Sequence, residues 1–174
     1  MPRNLEIKIK VTSLKELKNK LKQKRIGLKK ILIQKDVYYS VDTGLLKLRI
    51  ENGEKSLIYY KRDEKSAKRW SDYHVIKFAE GDIEKFFKNI LSTEITVSKV
   101  RELYLYKNTR IHLDKVKGLG SFIELETLVI DDLRNAENRF NEMVEILELN
   151  TKSQIRASYR DLLLDKKHDT DKIK

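Results

Sequence analysis

Residues 3–12 alternate strictly, with Leu5, Ile7, Ile9 and Val11 on one side and Asn4, Glu6, Lys8 and Lys10 on the other. Successive side chains of a strand point to opposite faces, so this run predicts a strand with one apolar and one polar face. Ser13 and Glu16 then form the Ser-x-x-Glu pattern of a helix start. That helix has Leu14, Leu17 and Leu21 as its stripe and is expected to end at Gly27. Strands are predicted at 30–41, 45–51 and 55–62, with turns at Asp42-Thr43-Gly44 and Asn52-Gly53. Residues 63–70 read as an exposed loop before a strand near 71–79. Asp82 suits the cap of a helix whose stripe is Ile83, Phe86, Phe87, Ile90 and Leu91. A long strand or bent strand pair follows over about 94–107. Leu133, Ala136, Phe140, Met143 and Leu147 predict a helix over 132–149. Ile155, Tyr159, Leu162 and Leu163 predict a last helix over 153–164, and the charged tail 165–174 is expected to be disordered.

Between these elements, Arg110 to Glu126 reads as two strands flanking a loop with Gly118 and Gly120. Arg110, His112 and Asp114 share one face of the first strand, and Glu124 and Glu126 share one face of the second. Three acids on neighbouring strands repel one another unless a positive group sits between them. A hard divalent cation takes oxygen ligands of this kind, whereas a plain hairpin with a solvated face gives the same alternation.

About eight strands, mostly joined by hairpins, alternate with a few helices. The pattern predicts an α+β fold, an eight-stranded antiparallel barrel with helices packed on its outside. The helix stripes decide which sheet face is covered. If the apolar face receives them, the charged face lines the interior, and a charged interior must be wet and ligand-holding. Lys8, Lys10, Lys47, Arg49, Arg62, Lys99, Arg101 and Arg110 stand on that face with the acids Glu6, Asp114, Glu124 and Glu126. Cations around a smaller carboxylate cluster suit an anion that arrives with its metal, such as a nucleotide or inorganic triphosphate.

Composition narrows the classes further. Lys and Arg number 38 against 27 Asp and Glu, a formal charge of +11 that implies an anionic partner. The absence of cysteine excludes disulfides, thiol nucleophiles and Cys-ligated zinc, and the three histidines are too scattered for a His-rich metal site. No apolar run is long enough for a membrane span and no signal-peptide core is present, which points to a cytoplasmic protein without a membrane partner. A single domain over residues 1–164 is expected, as monomer or dimer.

In order along the chain stand Asn4-Leu-Glu6-Ile-Lys8, Gln34-Lys-Asp36-Val-Tyr38-Tyr39, Leu46-Lys47-Leu-Arg49 and Leu57-Ile-Tyr-Tyr-Lys-Arg62. Val97-Ser-Lys99-Val-Arg101, Arg110-Ile-His112-Leu-Asp114, Gly118 to Glu126 and Ser158-Tyr159-Arg-Asp-Leu-Leu complete the series. Together these resemble the CYTH, or triphosphate tunnel metalloenzyme, superfamily, which includes class IV adenylyl cyclases, thiamine triphosphatases and inorganic or RNA triphosphatases. Its Glu-x-Glu-x-Lys signature is met by Glu6 and Lys8, but Asn4 stands at the first position. The resemblance implies that Glu6, Asp114, Glu124 and Glu126 hold Mg²⁺ or Mn²⁺. It also implies that Lys8, Lys47, Arg49, Arg62, Lys99, Arg101 and Arg110 grip a triphosphate, with Lys10 on the same face of its strand.

The leading expectation is a metal-dependent triphosphatase acting on inorganic triphosphate, with ATP and other nucleoside or organic triphosphates as further substrates. Lys8 and Glu124 are its candidate catalytic residues. The alternative is an adenylyl cyclase making cyclic AMP and pyrophosphate from ATP, for which Tyr38, Tyr39, Tyr59, Tyr60 or Trp70 would stack the base. A non-catalytic binder of RNA or polyphosphate has no need of the carboxylates, and no specific nucleic-acid partner is expected.

Overall fold

A computed structural model describes residues 3–62, 71–79, 81–130 and 132–172. The described residues form eight strands: β1 (Arg3–Val11), β2 (Leu28–Tyr39), β3 (Leu45–Glu51), β4 (Glu54–Arg62), β5 (Ser71–Phe78), β6 (Thr93–Tyr106), β7 (Thr109–Val116) and β8 (Gly120–Val129). Four helices accompany them: α1 (Leu14–Gln23), α2 (Ile83–Ile90), α3 (Leu133–Ile146) and α4 (Tyr159–Asp171). The strands pair antiparallel in the order β1-β8-β7-β6-β2-β3-β4-β5. The expected loop 63–70 lies outside the described residues.

Alternation settles the two faces. Ile7 and Ile9 of β1, Ile111 and Leu113 of β7 and Ile123 and Leu125 of β8 bury their side chains with Leu17 and Leu21 of α1 and Met143 of α3. A second outer cluster joins Val37, Tyr39 and Leu48 to Ile83 and Phe87 of α2. The polar face therefore looks inward, as the helix stripes predict.

Two features differ from the expected barrel. Among the described residues β1 and β5 share no ladder, so the sheet is curled but open along one seam. Asn4 and Glu6 of one edge strand and Val75 of the other still line a common cavity. Alternation specifies faces and hairpins specify neighbours, but neither says whether the last strand meets the first. The second difference is α4, which packs on the inner face rather than the outer one. Tyr159, Leu162 and Leu163 cover Tyr38, Val97, Val116 and Phe122, closing the apolar end of the interior.

The C-terminal segment also departs from expectation. Residues 154–155 are extended, with a bridge between Gln154 and Ile9 and a hydrogen bond from Ile155 N to the Lys8 carbonyl at 2.8 Å. The helix begins only at Tyr159, behind a Ser158–Asp161 capping box, and continues through Asp171. The expected disordered tail is thus helical as far as Asp171. A capped start favours propagation, and Lys166 holds the helix to the Gly118 carbonyl at 2.8 Å.

Turn chemistry fixes the strand offsets. Asn52 and Gly53 have φ of 49° and 91°, the both-positive pair of a type I′ hairpin, which matches the strand twist. Helix α1 ends differently from expectation, because Arg25 (φ 57°), not Gly27, takes the left-handed position. Ile26 N then bonds the Leu21 carbonyl at 2.9 Å, closing the helix in a Schellman arrangement.

Candidate active site

The polar inner face encloses a cavity of about 330 Å³ to which all eight strands contribute. Its acidic side comes from β1, β8 and β7. Sheet register places Glu6 beside Glu126 and then Arg110 on one rung, and Lys8 beside Glu124 and then His112 on the next. Its basic side comes from β3 and β6, where Lys47 and Arg49 form one Lys-x-Arg pair and Lys99 and Arg101 another.

Of the residues expected to form the site, Glu6, Lys8, Lys47, Arg49, Lys99, Arg101, Arg110, Glu124 and Glu126 line this cavity. Lys10 does not. It is exposed near Gly120, toward the end that α4 covers. The side chain of Arg62 lies outside the described residues. Asp114, expected as a metal ligand, is fully buried behind the cavity wall. Register sets it directly opposite Arg101, whose Nε and Nη2 donate to its two oxygens at 2.7 and 2.6 Å. The Tyr159 hydroxyl donates to the same carboxylate at 2.9 Å, and Lys99 lies 3.5 Å away. Burial alone would raise the Asp114 pKa, but Arg101 and Lys99 outweigh it and hold the carboxyl below its usual range. Both Asp114 oxygens thus accept hydrogen bonds from the basic wall and α4.

His112 stands opposite Glu124 on the neighbouring strand β8. Its ring nitrogen and oxygens of Glu124 and Glu126 all lie within 4.8 Å of one another. The Nδ1 atom is 3.4 Å from Glu126 and 4.0 Å from Glu124 but makes no hydrogen bond, and the Asn4 carbonyl oxygen is likewise buried without one. Burial, with Arg101 nearby, pushes the His112 pKa down to about 4 despite both carboxylates, so the ring is neutral and its lone pair available. Two carboxylates and a neutral imidazole fit a divalent cation.

Lys8 and Glu124 couple the two sides. Lys8 Nζ donates to the Ala157 carbonyl at 2.7 Å, lies 3.5 Å from Glu124, and sits 4.5 Å from the centre of the Tyr159 ring. Burial would raise the Glu124 pKa, yet Arg101, Lys8 and Lys99 hold it well below the usual carboxylate range. Glu124 is therefore an ionised ligand-type carboxylate.

The chain matches the CYTH domain over residues 2–159. The chain belongs to the CYTH family. A curated relative, "Putative adenylate cyclase MJ0240" of Methanocaldococcus jannaschii, is 28% identical over 171 residues, covering 91% of this chain and 97% of its own. Protein PH1819 of Pyrococcus horikoshii superposes with a TM-score of 0.72 at 30% identity, covering 94% and 99% of the two chains. The fold is shared with HpAC1 of Hippeastrum at a TM-score of 0.67 and 11% identity, over 93% and 95% of the chains. That protein is called a "putative adenylyl cyclase" and has a dominant triphosphatase activity.

Within this CYTH chain the sequence left several cavity residues unassigned. Asp36 lines the cavity, and so do Ser158 and Tyr159 at the start of α4, beside Tyr38 and Tyr60, two of the expected base-stacking candidates. Asp36 had a readable signal, since it alternates with Gln34 and Tyr38 on the inward face of β2. Arg49 donates to it twice, both at 2.7 Å. Substituting Arg49 by Ala leaves Asp36 with Lys47 at 2.8 Å, so the fold should persist. The loss of a two-pronged phosphate donor should raise KM for a triphosphate roughly tenfold or more. Steady-state kinetics with a parallel thermal melt checks this: unaltered kinetics with a lower melting temperature would make Arg49 structural.

Proposed function

We propose that this CYTH protein is a metal-dependent triphosphatase that hydrolyses inorganic triphosphate, and nucleoside or organic triphosphates less selectively. Support comes from a cavity whose wall carries cations and carboxylates suited to phosphate and metal but lacks an open aromatic platform among its described residues. Tyr38 and Tyr60 are buried, their hydroxyls 3.5 Å apart, with Lys47 5.4 and 5.6 Å from their ring centres. Tyr39 packs on Phe87 outside the cavity, and Tyr59 stacks on His74. Trp70 lies outside the described residues. Ile58 and Val75 offer an organic group an apolar wall without hydrogen bonds to read a base.

In this reading Arg49, Lys47, Lys99, Arg101 and Arg110 bind and align the phosphate chain. Glu6, Glu124, Glu126 and His112 hold the cation, with the Asn4 carbonyl in place of the missing acid. A bound divalent cation supplies Lewis-acid polarisation of the phosphoryl oxygens. Lys8, fixed by Ala157 and Glu124, directs its ammonium at charge that develops on the transferred phosphoryl group. Arg101 shares Glu124 with the metal side and so ties phosphate position to metal position.

The experiment is product identification after incubation with inorganic triphosphate or ATP, each with Mg²⁺ or Mn²⁺. Phosphate and pyrophosphate from inorganic triphosphate are expected. Cyclic AMP and pyrophosphate from ATP, with inorganic triphosphate intact, would establish the cyclase instead. Binding of both without turnover would make the protein a binder.

A further inference from the structure

Two hairpins of the sheet carry the same charged arrangement. In β2–β3, Asp36 lies opposite Arg49, accepts two hydrogen bonds from it at 2.7 Å, and pairs with Lys47 at 2.8 Å. In β6–β7, Asp114 lies opposite Arg101, accepts at 2.7 and 2.6 Å, and has Lys99 at 3.5 Å. Each unit is a Lys-x-Arg strand beside a strand carrying a buried aspartate. In the sheet order β7-β6-β2-β3 the aspartate and Lys-x-Arg strands alternate, so one unit repeats next to the other. The repeat is hidden in the chain, because Asp36 precedes its arginine by 13 residues and Asp114 follows its own by 13.

A carboxylate in the wall of an anion site opposes the ligand by Coulomb's law. Asp36 nonetheless lines the cavity, so its presence asks for a compensating gain. Two gains follow from its contacts. The fork-to-fork pair fixes the guanidinium plane of Arg49, leaving its remaining N–H groups toward the cavity. The same carboxylate opposes the loss of the Lys47 proton. Lys47 faces Asp36 and Tyr38 from β2, Tyr60 from β4, Arg49 on its own strand and Lys99 from β6. Burial and Arg49 push its pKa down to about 7, and Asp36 resists the fall.

We propose that Asp36 is a positioning residue of the phosphate site, locking Arg49 and Lys47 into one grip as Asp114 does for Arg101 and Lys99. The interior thus carries two matched phosphate grips side by side, instead of one diffuse basic wall. This inference rests on the triphosphate reading above.

Calorimetric binding of inorganic triphosphate in EDTA, followed over a range of pH, tests it. Anion binding favours charged Lys47, so wild-type affinity declines as pH rises past about 7. Asp36→Asn should weaken binding roughly 10- to 100-fold near neutral pH, the range for lost supporting partners. Its decline with pH should also begin lower than in wild type, which a purely structural role would not produce. Asp36→Glu should restore the wild-type pH dependence while binding more weakly at every pH, because the longer side chain displaces the fork. Affinity at or above wild type in Asp36→Asn, with the wild-type pH dependence, would overturn the inference whatever the melting temperature. Should Asp36→Asn fail to fold, unchanged affinity in Asp36→Glu would overturn it alone. Wild-type protein that binds no inorganic triphosphate at any pH, in EDTA or with Mn²⁺, would remove the triphosphate reading, and this inference with it.

Discussion

Asp114→Ala is expected to lower stability by about 3–5 kcal/mol and to abolish turnover. The carboxylate is wholly buried, and its removal takes the facing acceptor from Arg101 and Lys99, themselves almost inaccessible, leaving Arg101 with its bond to Glu124. A buried pair contributes little net stability when intact, but one surviving partner carries the full desolvation cost. The Tyr159 hydroxyl loses its acceptor as well, and with it the anchor of α4 inside the sheet. For a chain of 174 residues the expected loss lowers the melting midpoint by roughly 10 °C. Scanning calorimetry reads the change directly. An unchanged midpoint would show that the ion cluster is solvated in solution and does not hold the basic wall in place.

Glu124→Gln should act the other way, sparing the fold while removing function. Glutamine keeps the volume and can still accept from Arg101 and face Lys8, so the packing around it survives. The loss is a charged ligand beside Glu126 and His112. Affinity for Mn²⁺ and turnover should each fall by at least about 100-fold, beyond what loss of a mere supporting partner produces. Titration of Mn²⁺ by electron paramagnetic resonance separates binding from catalysis. Normal Mn²⁺ affinity with lost turnover would make Glu124 a reacting-group residue; normal values of both would remove it from the site.

Most of the charged wall was legible because strand parity is local. Lys47 and Arg49, Lys99 and Arg101, and Glu124 and Glu126 each sit two residues apart, so each pair is forced onto one face. Register between strands is not local, so the cross-strand partners of these residues were not legible. Asp114 and His112 occupy the same face of β7, but only the pairing of Asp114 with Arg101 and of His112 with Glu124 shows which one meets the acids. Asp36 went unassigned for the same reason, because its partner arrives from the far side of a hairpin. Two helix starts were readable from Ser13 and Asp82, whose side chains accept from the first turns. The inward turn of α4 was not readable, since its apolar residues fit an inner surface as well as an outer one.

Diffraction from crystals grown with Mn²⁺ and a non-hydrolysable triphosphate analogue tests the central claim most directly. An anomalous peak is expected in the cavity within coordination distance of Glu124, Glu126 and His112, with the phosphate chain running past Arg101 and Lys99 to Arg49 and Lys47. A metal bound elsewhere, or an analogue on the outer surface with the interior ion pairs undisturbed, would contradict it.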